Sequence, residues 1–248
     1  MGFFCNRCED RGIILKGDTA IPCSCSEQRA IFKRFKDSRL PLAMQNDTFD
    51  NFSFTYYSKH KMDPIKNISY FQLAEMAYGA AENFVTDFES NPHIEGLLFT
   101  GPVGSGKTYL ACSVVNSLLK RGQAALFMVV PDLLDMLKAT YNVDRNDISY
   151  TEQELLETAR EVSLLVLDDL GAHNYTEWTK NKLYSIINYR LNHRLATIIT
   201  TNISPEDLGE YLGIRTRSRI FQMCCPYKLL VDKDIRGLKR RNSFHTRS

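Results

Sequence analysis

Gly101-Pro102-Val103-Gly104-Ser105-Gly106-Lys107-Thr108 is the stretch that decides how the rest of the chain is read. It has the form G-x-x-x-x-G-K-[ST]. The apolar run Leu97-Leu98-Phe99-Thr100 precedes it, and Leu110, Ala111, Val114, Val115, Leu118 and Leu119 follow it at helical spacing. Strand, glycine-rich turn and helix together form the context this motif needs to hold phosphate. The glycines let backbone N–H groups turn inward where a Cβ would clash. The helix N-terminus adds the positive end of its dipole. Lys107 can reach β- and γ-phosphates, and the Thr108 hydroxyl can ligate Mg²⁺. These eight residues predict a site for ATP with Mg²⁺.

Downstream, strands and helices alternate, which predicts an α/β fold with a parallel sheet flanked by helices. Gly122 reads as the residue that stops the first helix. Ala124 to Val130 is nearly all apolar and reads as a strand buried on both faces. Pro131 then opens a helix through Leu133, Leu134 and Leu137. Thr151-Glu152-Gln153-Glu154 is a capping box ahead of Leu155, Leu156 and Ala159. Leu164 to Leu167 and Thr197 to Thr200 read as further strands, separated by a helix bearing Leu183, Ile186, Ile187 and Leu191. Ser204-Pro205 predicts a helix start, ended by Gly213. Leu229-Leu230-Val231 is the expected fifth strand.

The strand Leu164 to Leu167 runs into Asp168-Asp169 at the sheet edge where ligands bind in such folds. Asp168 is expected to hold the Mg²⁺ shell and Asp169 to orient or deprotonate a water. Asn202, just past Thr200-Thr201, reads as a residue that holds this water or as an ordinary turn former.

Cys5-x-x-Cys8 and Cys23-x-Cys25 form two close pairs with Gly12 and Gly17 between them. Four thiolates so spaced predict a structural Zn²⁺, although the second pair is C-x-C rather than C-x-x-C. Disulfides and a redox motif are the alternatives. Cys112, Cys224 and Cys225 lie in apolar surroundings and read as small core residues.

The chain has 248 residues, 44% hydrophobic and 24% charged, with a net charge of +2. Length and composition fit one large α/β domain with a small module attached. No apolar run spans a bilayer, no secretory h-region stands at the N-terminus, and Asn6 breaks the myristoylation pattern. The expectation is a cytoplasmic protein with reduced cysteines. The chain divides into a zinc-binding module (1–30), a linker and helical segment (31–95), a core (96–236) and a basic tail (237–248). The last thirteen residues, with Arg236, Lys239, Arg240, Arg241 and Arg247 and no acid, fit a solvated end or a phosphate-backbone contact.

The phosphate loop, Leu164 to Asp169 and Ile199-Thr200-Thr201-Asn202 together resemble the AAA+ ATPases. Within these the chain is similar to the DnaC/DnaI-type replicative helicase loaders and to IstB-type transposition helpers, from about Thr48 to Arg236. Asp168-Asp169-Leu170-Gly171 resembles the loaders in particular. Thr48-Phe49-Asp50-Asn51-Phe52 looks like the segment that packs near the nucleotide base, and the cysteine module resembles the zinc-binding region of DnaI-like loaders. Arg215, Arg217 and Arg219 fall where the family carries arginines that reach a neighbour's ATP; Arg215 and Arg219 fit best. Arg236 falls at the sensor-II position of a truncated lid.

The resemblance implies ATP hydrolysis, a hexameric replicative helicase and single-stranded DNA as partners, and homo-oligomerisation on ATP or helicase binding. It also leaves two rivals, an ATPase regulating a transposase on duplex DNA and a zinc-bearing adaptor that binds ATP without turnover. Lys138 to Tyr150, with Lys138, Tyr141 and Arg145, occupies the place where relatives insert a DNA-contacting element; a solvated helix and loop fits equally.

Overall fold

A computed structural model describes residues 5, 7–9, 11–17, 19–23, 25–26, 44–142, 151–171 and 175–239. Near the N-terminus, β1 (Ile13–Lys16) and β2 (Thr19–Pro22) form an antiparallel hairpin. Two short 3-10 turns, Phe49–Asn51 and Phe54–Tyr56, lead to α1 (Tyr70–Ser90). Ser69 and Gln72 form a capping box at its start.

The core then alternates as β3 (Gly96–Thr100), α2 (Lys107–Lys120), β4 (Ala125–Val129), α3 (Val130–Asn142), α4 (Glu152–Glu161), β5 (Leu164–Asp168), α5 (Glu177–Asn192) and β6 (Ala196–Thr201). It closes with α6 (Leu208–Leu212), α7 (Ile214–Met223) and β7 (Cys224–Lys228). The five strands pair in parallel in the order β4-β5-β6-β3-β7, the AAA+ arrangement with the phosphate-loop strand inside the sheet.

Strand residues alternate between two apolar layers, as the pleat requires. Leu98, Leu126, Leu165, Leu167 and Ile199 face α3, α4 and α5 through Leu133, Leu155, Leu183 and Ile186. Leu97, Phe99, Phe127, Val166 and Ile198 face α1 and α2 through Phe84, Phe88, Leu110, Val114 and Leu118. This two-sided burial explains why the strands read as continuous apolar runs. Among the described residues, no helix is long and apolar enough to cross a membrane.

Several local readings hold. Gly122 has φ 77°. Its N–H bonds to the Leu119 carbonyl at 2.9 Å and the Gln123 N–H to the Leu118 carbonyl at 2.9 Å, the Schellman pattern. The Thr151–Glu154 capping box opens α4. Cys112 and Cys224 are buried, and Cys225 is half-buried.

Two readings need correction. The fifth strand is Cys224–Lys228, not Leu229 to Val231. Pro226 obscured it, but β7 is an edge strand, where a missing N–H is tolerated. The helix expected from Ser204-Pro205 starts later. Ser204 accepts from the Asp207 N–H in a turn, and α6 begins only at Leu208. Residues 143–150 and 240–248 lie outside the described residues, and with them Arg145 and the tail arginines. Lys138 is exposed and paired with Asp135.

Candidate nucleotide site

The phosphate loop leaves β3 at Gly101, at φ 142°, and enters α2 through Gly106, at φ 96°. A Cβ on Gly101 would stand 2.0 Å from the Leu229 carbonyl oxygen, so backbone packing as well as conformation excludes a side chain there. Lys107 starts α2, and its Nζ donates to the carbonyls of Gly101 at 2.9 Å and Pro102 at 2.8 Å and to Asn202 Oδ1 at 2.6 Å. The Asn202 amide donates in turn to Asp169 Oδ1 at 3.1 Å. Asn202 thus bridges the lysine and the second acid across the ends of β3, β6 and β5.

Thr108 Oγ1 donates to Asp168 Oδ1 at 2.9 Å, and Thr200 Oγ1 donates to the same oxygen at 2.6 Å. Neighbouring ligands of an octahedral Mg²⁺ stand about 3.0 Å apart, given metal–oxygen distances of about 2.1 Å. The Thr108 and Asp168 oxygens fit that spacing. Asp169 has φ 59°, and its N–H is tied to Thr200 Oγ1 at 2.9 Å. Thr200 therefore sets both acids, a role the sequence reading gave only to strand formation.

Burial disfavours the charged forms of both Lys107 and Asp168. Burial lowers Lys107 to about 8, against the attraction of Asp169 and Asp168 and with repulsion from Arg236. Burial likewise pushes Asp168 above the usual carboxylate range; Asp169 adds to this, while the Thr200 and Thr108 hydroxyls oppose it. Arg236 is exposed in the helical turn 235–239, whose Ile235 N–H bonds to the Gly104 carbonyl at 3.1 Å. The sensor-II candidate thus lies on an element fastened to the phosphate loop.

Beside Gly106 lies a narrow cleft of about 30 Å³, lined by Asn51, Phe52, Ser53, Tyr56, Tyr57, Tyr109, Ile235 and Lys239. Phe52 is its aromatic centre, 5.7 Å from both Tyr57 and Tyr109 by ring centroids. The segment from Thr48 to Phe52 is pinned there, with Tyr109 Oη donating to the Thr48 carbonyl at 3.1 Å and Asn116 donating to the Met44 and Asp47 carbonyls. This aromatic cleft stands next to the phosphate loop, where the resemblance places the segment that packs near the nucleotide base. Tyr57 and Tyr109 escaped the sequence reading because nothing local marks them; only packing against Phe52 and Gly106 does, and Lys239 was marked only as part of the basic C-terminal run.

The three arginines lie on one helix. Gly213, at φ 87°, ends α6 and starts α7 at once, so Arg215 to Arg219 are helical. Arg215 is exposed. Arg217 Nε donates to the Pro205 carbonyl at 2.7 Å. Arg219 does not point freely outward: it donates to Tyr184 Oη at 3.0 Å, its guanidinium lies over that ring, and its buried Nε has no hydrogen-bond partner among the described residues.

Cys5, Cys8, Cys23 and Cys25 are buried together, with all four Sγ atoms within 4.8 Å of one another. Cys5 and Cys23 are 3.8 Å apart and Cys8 and Cys25 3.3 Å apart. A tetrahedral Zn²⁺ with bonds of about 2.3 Å needs sulfur–sulfur edges of about 3.8 Å, which this cluster nearly provides. The Gly12 N–H donates to Cys8 Sγ at 3.3 Å, and the Cys23 N–H donates to the Gly12 carbonyl at 2.9 Å, so the hairpin holds both cysteine pairs. Burial and its neighbours push the Cys25 thiol up; at Cys8 burial acts the same way but is outweighed by hydrogen bonds from Cys25 and Gly12, leaving it at about 7.

A family model described as IstB-like ATP binding protein matches residues 27–217. Replicative helicase loader DnaC of Escherichia coli (strain K12) is 31% identical over 144 residues, 58% of this chain and 56% of that protein. Replicative helicase loader DnaI of Bacillus subtilis (strain 168) is 23% identical over 160 residues, 59% of this chain and 50% of that protein. The chain spans about half the length of these curated relatives. The crystal structure of the DnaC helicase loader superposes with a TM-score of 0.59 at 27% identity, covering 77% of this chain and 100% of that one. With the family model covering most of its length, the chain belongs to the IstB-like ATP-binding proteins, the AAA+ family that includes the DnaC/DnaI-type helicase loaders.

Proposed function

We propose that this chain binds ATP with Mg²⁺ and hydrolyses it, and that it is a cytoplasmic loader that delivers a hexameric replicative helicase to single-stranded DNA. Hydrolysis releases the loader. The observation that carries this reading is the convergence of Lys107, Thr108, Asp168, Asp169 and Asn202 from three strand ends into one hydrogen-bonded group, joined through Thr200.

Lys107 exchanges its carbonyl partners for β- and γ-phosphate oxygens. Thr108 and Asp168 hold Mg²⁺, which when bound neutralises phosphate charge. Asn202 orients a water whose proton passes to Asp169 as its oxygen bonds to the γ-phosphorus and the bond to the ADP oxygen breaks. Arg236 adds positive charge from the lid. Arg215 and Arg219 are the two candidates to complete the γ-phosphate site of a neighbouring copy, which makes turnover depend on homo-oligomerisation. Cys5, Cys8, Cys23 and Cys25 hold a structural Zn²⁺ in a module of residues 1–30, joined through 31–95 to an ATPase core of 96–236 and a basic tail of 237–248.

The helicase partner rests on likeness to DnaC and DnaI. The resemblance to IstB-type transposition helpers leaves a second reading, regulation of a transposase on duplex DNA. Steady-state phosphate release tests the chemistry. Lys107→Ala should abolish nucleotide binding or turnover, whereas Asp169→Asn should bind ATP and fail to turn it over. Wild-type protein that binds ATP without releasing phosphate, alone or with DNA and helicase, would instead mark a zinc-bearing adaptor. Pulldowns with the cognate helicase and with a transposase separate the two partner readings.

A further inference from the structure

Inside the phosphate loop, the Ser105 carbonyl accepts a hydrogen bond from Tyr57 Oη at 2.8 Å. The donor lies far upstream, beyond the whole of α1 and β3. Tyr57 is only 4% exposed, and burial pushes its phenol well above the ordinary value, so it stays a protonated donor at any working pH. The Ser105 carbonyl and the Gly106 N–H belong to one trans peptide unit and point in opposite directions. A phosphate cradle needs that N–H turned inward.

Glycine at 106, with φ 96°, makes the flipped peptide accessible, and the flip would present a carbonyl oxygen to the phosphates. The same glycine makes room for the latch, since a Cβ there would stand 2.6 Å from Tyr57 Oη. The Tyr57 ring meanwhile stacks on Phe52, 5.7 Å away with the planes 19° apart, in the wall of the aromatic cleft.

We propose that Tyr57 is a positioning residue: its ring forms part of the base cleft while its hydroxyl fixes the Gly106 peptide for phosphate. Base and phosphate recognition are thereby coupled through one side chain. The inference rests on the ATP-site reading above.

The test is competition of unlabelled ADP and of adenosine against a fluorescent ADP analogue on the full chain. Tyr57→Phe keeps the ring and removes the latch. It should melt within a few degrees of wild type, weaken ADP about tenfold, as expected for a buried carbonyl left without its donor, and leave adenosine within twofold. Phe52→Leu, which damages the cleft and spares the latch, should weaken both ligands alike. Unchanged ADP affinity in Tyr57→Phe overturns the proposal. So does an equal loss for ADP and adenosine, or a variant too unstable to bind either, since the hydroxyl would then serve the fold. Wild-type protein that binds no ADP overturns the ATP-site reading itself, and the latch with it.

Discussion

Asn202→Ala removes the bridge between the lysine and the second acid, and the structure says where the loss should fall. The amide accepts from Lys107 Nζ at 2.6 Å and donates to Asp169 Oδ1 at 3.1 Å. A hydrogen bond to a charged group contributes about 1.5–3 kcal/mol, yet Lys107 keeps other partners in both states, the Gly101 and Pro102 carbonyls in the free protein and the phosphate oxygens in the proposed complex. Nucleotide binding should therefore change by less than about threefold, under about 0.7 kcal/mol. The Asp169 carboxylate, by contrast, loses its lateral contact, and the water loses the amide that orients it. Removing one preorganised group of this kind costs about 10²–10³ in turnover, about 2.7–4 kcal/mol. Asn202→Asp should do more, because it adds a carboxylate beside Asp169 where the γ-phosphate must approach; ATP should weaken more than ADP. Rapid-quench phosphate release at saturating ATP, paired with nucleotide titration, separates the two effects. Turnover by Asn202→Ala within threefold of wild type, with the loss appearing in affinity instead, would refute the water-orienting role.

Lys107, lowered to about 8 by burial, makes binding pH-dependent. Above about pH 8 the free protein must take up a proton to present an ammonium to the triphosphate. ATP affinity should then fall by up to about tenfold per pH unit, and calorimetric heats should depend on the buffer at pH 8.5 but not at pH 6.5. The stability sign is opposite. Between about 8 and the ordinary lysine value the unfolded chain holds the extra proton, so the folding cost of this buried lysine shrinks as pH rises, visible in nucleotide-free melts. Elemental analysis of protein purified under reducing conditions should find one Zn²⁺ per chain, released by a thiol-modifying reagent; protein without zinc would exclude the metal. Arg219→Ala should leave ATP binding nearly intact and lower assembled turnover by up to about 10³-fold. Mixing it with Lys107→Ala should restore some activity, and no recovery at any ratio under assembling conditions would show that Arg219 does not act in trans. Arg190, fully buried, donates to the Ala159, Arg160, Val162 and Ala196 carbonyls and to Thr197 Oγ1. Arg190→Met should cost on the order of 4 kcal/mol in urea unfolding, and Arg190→Lys, with its donors on a single nitrogen, should recover less than half; a loss below about 1 kcal/mol would contradict the clamp.

The sequence by itself determined the phosphate loop, the inner strands and the acids at the end of β5. Each is written in consecutive residues: glycines where φ is positive, four or five apolar residues where both faces are buried, Asp-Asp where the chain leaves the sheet. Gly122 and Thr151 were legible for the same reason, since caps are made by neighbours in the chain. The grouping of Cys5 and Cys8 with Cys23 and Cys25 was legible from their spacing, and the hairpin that joins them appears only in the fold. Tertiary structure alone decided what depends on distant partners. Thr200 looked like a strand residue until β5 and β6 paired and set its hydroxyl between two acids. Cys224–Lys228 is a strand because it pairs with β3 as the outermost strand of the sheet, where Pro226 is tolerated, which no local propensity would suggest. Arg219 is drawn onto Tyr184 by the packing of α7 against α5, and Tyr57 meets Ser105 because α1 folds back over α2. Local backbone conformation is encoded by the residue that adopts it, whereas a contact across the sheet is encoded by shape and burial summed over many residues, and only the folded chain performs that sum.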